Sequence, residues 1–144
     1  MRYLLILTIL LASTAFAAPA FFFDETKALA DQGDVDAQFN LGNMYDNGNG
    51  VPENDAEAVK WYRKAADQGY AKAQTSLGVM YANGEGVPEN FVHAYVWWSM
   101  AKTQGYEDAK VNLDILRPQI TKQQIAEAQS LAAQCYESDY RDCD

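Results

Sequence analysis

The chain has 144 residues and a formal net charge of −9, from 20 acidic and 11 basic side chains. This length is enough for one compact domain with its own core. The negative balance, without any cluster of Lys and Arg, argues against nucleic acids and anionic membranes as partners, because both are bound through positive charge.

The first 17 residues have the pattern of a secretory signal peptide. Arg2 provides a positive start, an apolar run extends from Tyr3 to Leu11, and Ala15-Phe16-Ala17 forms an A-x-A cleavage box. We expect cleavage after this box and export to the periplasm or beyond. An uncleaved anchor is the alternative, but the apolar run is shorter than the ~20 residues that span a bilayer core. No later stretch is long and apolar enough, so we predict no stable membrane insertion of the mature chain.

Two copies of one 36-residue unit follow. Residues 30–65 and 66–101 are identical at about 20 positions, and a fading third copy keeps the spacing at Gly105, Ala109 and Leu113. A period of this length is typical of a helical solenoid, in which each unit buries its apolar face against its neighbours. We assign an N-terminal capping helix to residues 18–33, two units to 34–69 and 70–105, and a degenerate third unit with a C-terminal capping helix and tail to 106–144.

The first half of each unit predicts an amphipathic helix. In the first unit Ala37, Leu41 and Met44 recur at helical spacing, and Asp34 stands where an N-cap is expected. Gly42 lies inside this helix and recurs as Gly78 in the next unit. A Gly within a helix costs about 0.5–1 kcal/mol relative to Ala, so its recurrence suggests close approach of a neighbouring helix.

The second half of each unit predicts a helix antiparallel to the first. A Gly-rich turn ending in Val-Pro separates the two, and Asn54 then caps the second helix with Glu57 in the capping-box position. Trp61 and its counterpart Trp97 alternate with Ala on the inner face. A last helix begins at a capping box that starts with Thr121. We predict about six helices in the mature chain and no strands.

The only two cysteines, Cys135 and Cys143, lie at the C-terminal end. In an exported protein a disulfide is the default expectation for such a pair. A redox or metal site is the alternative, but the segment CYESDYRDC lacks the close spacing of a reactive dithiol, and two cysteines alone make a poor metal cage. We therefore predict a disulfide that holds the tail.

The repeated string A-x-x-G-x-x-x-A-Q-x-x-L-G-x-M-Y-x-N-G-x-G-V-P-E-N, followed by A-x-x-W-[YW]-x-x-A, resembles the Sel-one-like repeat family, a relative of the tetratricopeptide repeat. The resemblance covers roughly residues 28–116. It implies an all-α, right-handed α-solenoid whose concave face binds peptides or protein surfaces, and it implies no cofactor. Members of the family are adaptors in many processes, so the resemblance does not select one.

Two features are candidates for binding. On the first helix of each unit, the positions that differ between copies would meet on the concave surface, although ordinary surface drift explains the differences equally well. These candidate partner-binding residues are Phe39, Asn40, Asn43, Thr75, Ser76, Val79, Val111 and Asn112, with Ile115 in the place of Val79 in the third unit. The run Phe21-Phe22-Phe23 either packs beneath the first unit or forms an exposed patch for association.

An enzymatic alternative depends on Ser99-Met100-Ala101-Lys102. This S-x-x-K segment matches the serine nucleophile motif of β-lactamases and penicillin-binding proteins, activities described for cysteine-rich relatives. No S-D-N or K-T-G accompanies it. His93 is the only histidine, so neither a His-based metal site nor a Ser-His-Asp triad is available. We therefore predict a non-enzymatic interaction scaffold without metal, with a serine β-lactam hydrolase as the alternative.

Overall fold

The computed structural model describes residues 18–143, and over this range the chain is a stack of paired helices without strands. The predicted α-solenoid is confirmed. The described residues contain seven α-helices where about six were predicted, although the predicted segments (two capping helices, two pairs and one helix of the third unit) themselves add up to seven. The signal-peptide prediction lies outside the described residues. The helices are α1 (Ala18–Asp31), α2 (Val35–Asn47), α3 (Asp55–Ala66), α4 (Ala71–Asn83), α5 (Phe91–Thr103), α6 (Glu107–Leu116) and α7 (Lys122–Glu137), with a 3₁₀ turn at Arg117–Gln119.

Side-chain caps begin the helices where the sequence predicts them. Asp34 Oδ1 accepts a hydrogen bond from the backbone N–H of Ala37 at 2.8 Å. Asn54 caps α3 in the same way, but the capping box remains half-formed because the Glu57 carboxylate bonds Lys60 instead. At α7 the predicted capping box is complete, with Thr121 and Gln124 bonded in both directions. Local sequence therefore determines where these helices start.

The buried residues form two clusters. The smaller one lies between α1, α2 and α3 and contains Trp61, which is 7% exposed. The larger one extends from α3 to α7 and contains the fully buried Trp97. The predicted burial of both tryptophans is confirmed. Two rings of the phenylalanine run have different environments: Phe23 packs edge-on against Tyr45, whereas Phe22 is 58% exposed.

The recurring glycines inside α2 and α4 allow an aromatic ring to touch the helix backbone. A Cβ on Gly42 would lie 2.5 Å from Cδ1 of Tyr62, and one on Gly78 would lie 2.5 Å from Nε1 of Trp98. Neither distance is possible for real atoms. The close approach that the sequence suggests is therefore confirmed, and it joins the two helices of each unit.

The third unit lacks the glycine–aromatic contact that joins the two helices of the first and second units. Asp114 stands at the position of Gly42 and Gly78, so a side chain occupies the space that an aromatic ring would need. Helix α7 packs chiefly against α5, and its own buried residues are Ala128, Ala132 and Cys135. It thus covers the end of the larger cluster, as a capping helix should.

Replacing Gly78 with Ala should lower the free energy of unfolding by about 1–3 kcal/mol, because the added methyl overpacks the contact with Trp98. Intrinsic helix preference acts in the opposite direction, since Ala is better than Gly by about 1 kcal/mol. We therefore expect the same change to be neutral or stabilising in a Trp98→Ala background. Urea unfolding of the four proteins measures this double-mutant cycle. An equal cost in both backgrounds would contradict the steric explanation.

Candidate functional site

The predicted partner-binding residues lie on α2, α4 and α6, the first helices of the three units. We refer to the surface formed by these helices as the first-helix face. The structure places most of the eight residues at a cluster around the Tyr62 hydroxyl, in a groove between α4 and α6, or in a hollow beside α1, while Val111 is exposed on α6. Only some of them are open to a partner.

The cluster around the Tyr62 hydroxyl is filled by the protein's own side chains. Tyr62 comes from α3, its ring is buried, and two acceptors share its single hydroxyl proton: Asn43 Oδ1 at 2.8 Å and Asp46 Oδ2 at 3.0 Å. Burial, together with the Asp46 carboxylate, raises the pKa of the Tyr62 phenol, so it remains a donor. Ser76 adjoins the same hydroxyl from α4. The polar atoms of this cluster therefore bond to one another.

Phe39 and Thr75 also make internal contacts. The Phe39 ring centroid lies 5.8 Å from that of Tyr62 and 5.4 Å from that of Tyr70. The Tyr70 hydroxyl donates to Asp36 at 2.7 Å, and this bond raises the pKa of Tyr70 to about 12. Thr75 donates to a backbone carbonyl one turn earlier in α4. The contacts of Tyr70 with Phe39 and Asp36 connect the first two units, so a substitution of Phe39 would disturb internal packing.

A groove lies between the C-terminal halves of α4 and α6, and we name it the α4–α6 groove. Its volume is about 420 Å³. Two predicted residues, Val79 and Asn112, face each other across it. Trp98 and Phe91 of α5 form its floor, while Glu89 and Gln119 lie at its edge. The remaining lining residues are Ala82, Asn83, Ile115 and Leu116.

The groove is the second-unit equivalent of the filled cluster in the first unit. Asn43, Asp46 and Tyr62 of the first unit correspond to Val79, Ala82 and Trp98 of the second. Trp98 does not reach across the face as Tyr62 does, because its Nε1 donates to the carbonyl of Thr75 at 3.0 Å. With smaller apolar side chains on α4, the space above the indole stays open.

The last two predicted residues lie outside the groove. Asn40 lines a hollow of about 310 Å³ between α1 and α2, together with Phe22 and Leu29. Val111 is 49% exposed on α6, one turn before Ile115, which is 59% exposed. Val111 and Ile115 thus extend the apolar surface at the side of the α4–α6 groove, whereas Asn40 belongs to a separate place.

Several groove residues are absent from the sequence-based candidates. Ala82 and Asn83 follow Val79 at i+3 and i+4, so helical spacing alone would have placed them on the same face. Trp98 is buried, yet its ring also lines the groove. No sequence signal indicates Glu89 or Gln119, which reach the edge from the segments flanking α5 and α6.

The S-x-x-K segment lies away from the first-helix face. Ser99 is half-buried in a separate groove between α5 and α7, next to Tyr95, Met100 and Tyr136. Lys102 is exposed and does not line this groove. Among the described residues there is no cluster of His, Cys, Asp and Glu able to hold a metal ion. Nor does the described part of the chain contain a helix with the length and apolar character needed to cross a bilayer.

The predicted disulfide joins Cys135 to Cys143 across a separation of 8 residues. Both half-cystines are buried. The enclosed tail turns back so that the ring of Tyr140 lies against Gly69, in the turn between α3 and α4. The bond therefore fixes the tail against the middle of the solenoid.

Comparison with known proteins agrees with this architecture. The family model of the Sel1 repeat matches residues 35–70 and 71–106, each the length of one helix pair with its turn. The chain belongs to the Sel1 repeat family. No match was found among curated proteins. The Sel1 repeats supply the helix pairs α2–α3 and α4–α5, while α1, α6 and α7 flank them.

Two solved structures show the same stacking of Sel1 repeats. One is c5321, a protective antigen present in uropathogenic Escherichia coli strains and displaying an SLR fold, with a TM-score of 0.79 and 34% identity. The other is a Sel1 repeat protein from Oxalobacter formigenes, with a TM-score of 0.68 and 32% identity. Each match covers 84% of this chain, but only 26% of the first protein and 57% of the second. The chain is thus similar to part of each.

Proposed function

We propose that this Sel1 repeat protein is an exported, non-enzymatic scaffold that binds a segment of a partner protein on a concave first-helix face. Sel1 repeats generally mediate protein interactions, and this is the general role that family membership supports. The observation that carries the proposal is the open α4–α6 groove beside the exposed side chains of Val111 and Ile115. Exposed apolar surface next to a groove is the usual mark of an interaction site.

Export is supported by two independent features. The first 17 residues have the charge, apolar run and cleavage box of a signal peptide. The chain also carries a buried disulfide, a bond that persists in oxidising compartments such as the periplasm and is rare in the reducing cytosol. We therefore place the mature protein in the periplasm or outside the cell.

A scaffold agrees better than an enzyme with the placement of the reactive side chains. The S-x-x-K segment at Ser99 is not accompanied by the S-D-N and K-T-G motifs of the β-lactam hydrolases. Its S-x-x-K partner Lys102 is exposed and lies outside the groove that Ser99 lines. Nitrocefin hydrolysis by the purified protein that disappears in Ser99→Ala would instead support the enzymatic alternative.

Site-specific photocrosslinking tests the proposed face. We would place a photoreactive phenylalanine at Val111 on the first-helix face, and at the exposed Lys60 of α3 as the matched control. After irradiation in the native host, we expect covalent adducts with a partner protein from position 111 and none from position 60. Equal labelling from both positions, labelling from position 60 alone, or no adduct from either would contradict the proposed binding face.

A further inference from the structure

The shape and chemistry of the α4–α6 groove indicate what kind of segment it accepts. We propose that the groove binds an extended peptide segment of a partner protein, which inserts one apolar side chain and carries a Lys or Arg beside it. This inference rests on the proposed function and specifies the ligand of the same face. Four features support it: the size of the groove, its apolar floor, the amide side chains at its rim and the Glu89 carboxylate.

The first support is that the first-helix face has one groove at the junction of the second and third units, separate from the smaller hollow beside α1. A helix docked on a groove needs several anchors at i, i+3, i+4 and i+7. Along this face, however, the position equivalent to the groove is filled by Tyr62 and its partners Asn43 and Asp46. A volume of about 420 Å³ lies within the range of sites that hold a small ligand group. One anchoring side chain therefore fits better than a row of them.

The second support is the composition of the cavity itself. Its floor and walls are the indole of Trp98, the ring of Phe91, and the aliphatic side chains of Val79, Ile115 and Leu116. The two polar groups that make the first-unit cluster hydrophilic, Asn43 and Asp46, are Val79 and Ala82 here. An apolar side chain of Leu or Phe size gains free energy by leaving water for such a cavity.

The third support is the ring of side-chain amides at the rim. Asn83, Asn112 and Gln119 line the groove with side-chain amides. Asn83 Nδ2 donates to Glu85 at 3.3 Å and Gln119 Nε2 donates to the Ile115 carbonyl at 3.0 Å, and each amide also has a carbonyl oxygen and a second N–H. The side chain of Asn112 makes no hydrogen bond to any residue that the structure describes, although it is half-buried. An extended backbone presents unpaired N–H and C=O groups, whereas those of a helix are bonded within the helix. The amides therefore favour an extended segment.

The fourth support is electrostatic. Glu89 is the only charged residue that lines the groove, and within residues 18–143 no cationic side chain forms an ion pair with it. The whole chain carries a net charge of −9. A positive residue beside the anchor would meet a complementary carboxylate, while an acidic one would be repelled.

Fluorescence polarisation with labelled decapeptides tests the inference. The probes share a Gly/Ser frame and carry Lys-Leu-Lys, Lys-Ala-Lys or Glu-Leu-Glu at the centre. We expect the Lys-Leu-Lys peptide to bind about 10-fold more tightly than Lys-Ala-Lys, because the anchor is lost in the latter. We expect about 3-fold or greater preference over Glu-Leu-Glu at low salt, reduced as salt is added.

Three variants locate the binding. Ile115→Glu, at an exposed position, should reduce affinity for Lys-Leu-Lys by about 10-fold or more. Glu89→Lys should reverse the charge preference while keeping the dependence on Leu. Asn40→Glu, in the hollow beside α1, is the matched control and should leave affinity unchanged. Circular dichroism confirms that each variant is folded.

Other outcomes would overturn the inference. These are no binding of any probe up to about 1 mM, an equal affinity of the Leu and Ala peptides, or an effect of Asn40→Glu equal to that of Ile115→Glu. A monomer–dimer equilibrium in sedimentation that Ile115→Glu abolishes would assign the groove to a second copy of the chain. If photocrosslinking from position 111 succeeds while the peptides fail, the scaffold function stands and only this description of its ligand is wrong.

Discussion

Replacing Trp97 with Ala is expected to lower the free energy of unfolding by about 3–5 kcal/mol. Trp97 is fully buried in the larger core cluster, and the guanidinium of Arg63 lies 4.9 Å from its ring centroid. Its Nε1 has no hydrogen-bond partner among the described residues, so its contribution comes from packing rather than from a polar bond. For a domain of this size, the loss corresponds to a melting temperature lower by roughly 10–20 °C.

The repeat provides a matched control for this prediction. Trp61 occupies the same position in the preceding unit, but it lies in the smaller cluster near the N-terminal end and retains 7% exposure. Trp61→Ala should therefore cost less than Trp97→Ala, toward the lower end of the range. Thermal and urea unfolding of both variants measure the difference. A larger loss at Trp61 would contradict the view that the larger cluster carries most of the stability.

Removing the disulfide is expected to lower the free energy of unfolding by about 2–3 kcal/mol. Both half-cystines are buried. Because the bond closes a short loop, its reduction gives the unfolded chain more conformational freedom. It also holds Tyr140 against Gly69. The double variant Cys135→Ala/Cys143→Ala avoids a free thiol, and its urea unfolding should match that of the reduced wild type.

A second variant separates the bond from the contact that it holds in place. Tyr140→Ala keeps the disulfide and removes only the ring that packs against Gly69. We expect it to cost less than the double cysteine variant, since the constraint on the unfolded chain remains. The helical signal in circular dichroism should persist in both proteins, because α2 to α5 do not depend on the tail. Unchanged stability of the double variant, with or without reductant, would contradict a structural role for the bond.

Much of the fold follows from local patterns. Asp34, Asn54 and Thr121 begin their helices because a side-chain cap acts within one turn of the backbone. The recurrence of Gly42 as Gly78 indicated the close helix contacts, since a costly residue at one repeat position needs a packing reason. Such signals depend on residues near one another in sequence, so they can be recognised without knowing the tertiary structure.

The packing of α7 could not be predicted in the same way. The sequence shows that Asp114 replaces the glycine of the earlier units, but the consequence depends on what would have packed there. Only the structure shows that an aromatic ring needs that space, and that α7 lies chiefly against α5.

The candidate site was predicted in outline rather than in detail. Comparison of the copies pointed to the first-helix face and included Val79 and Asn112, which both line the groove. It did not distinguish them from Phe39 and Asn43, which pack on or bond to Tyr62. Aligning the repeats shows which residues occupy the same position in each unit, but not whether the surface there is open. That depends on the large aromatic residue of the second helix, Tyr62 in one unit and Trp98 in the next.

By itself, the sequence determined the helical repeat, its period, its buried tryptophans and the cysteine pair, because periodic burial and capping depend on short-range spacing. Only the tertiary structure decided which part of the first-helix face is open. Whether a cavity exists depends on the volumes and directions of side chains from three helices that are distant in sequence. The indole of Trp98 turns toward the Thr75 carbonyl, whereas the phenol of Tyr62 reaches Asn43, and this difference leaves the α4–α6 groove open.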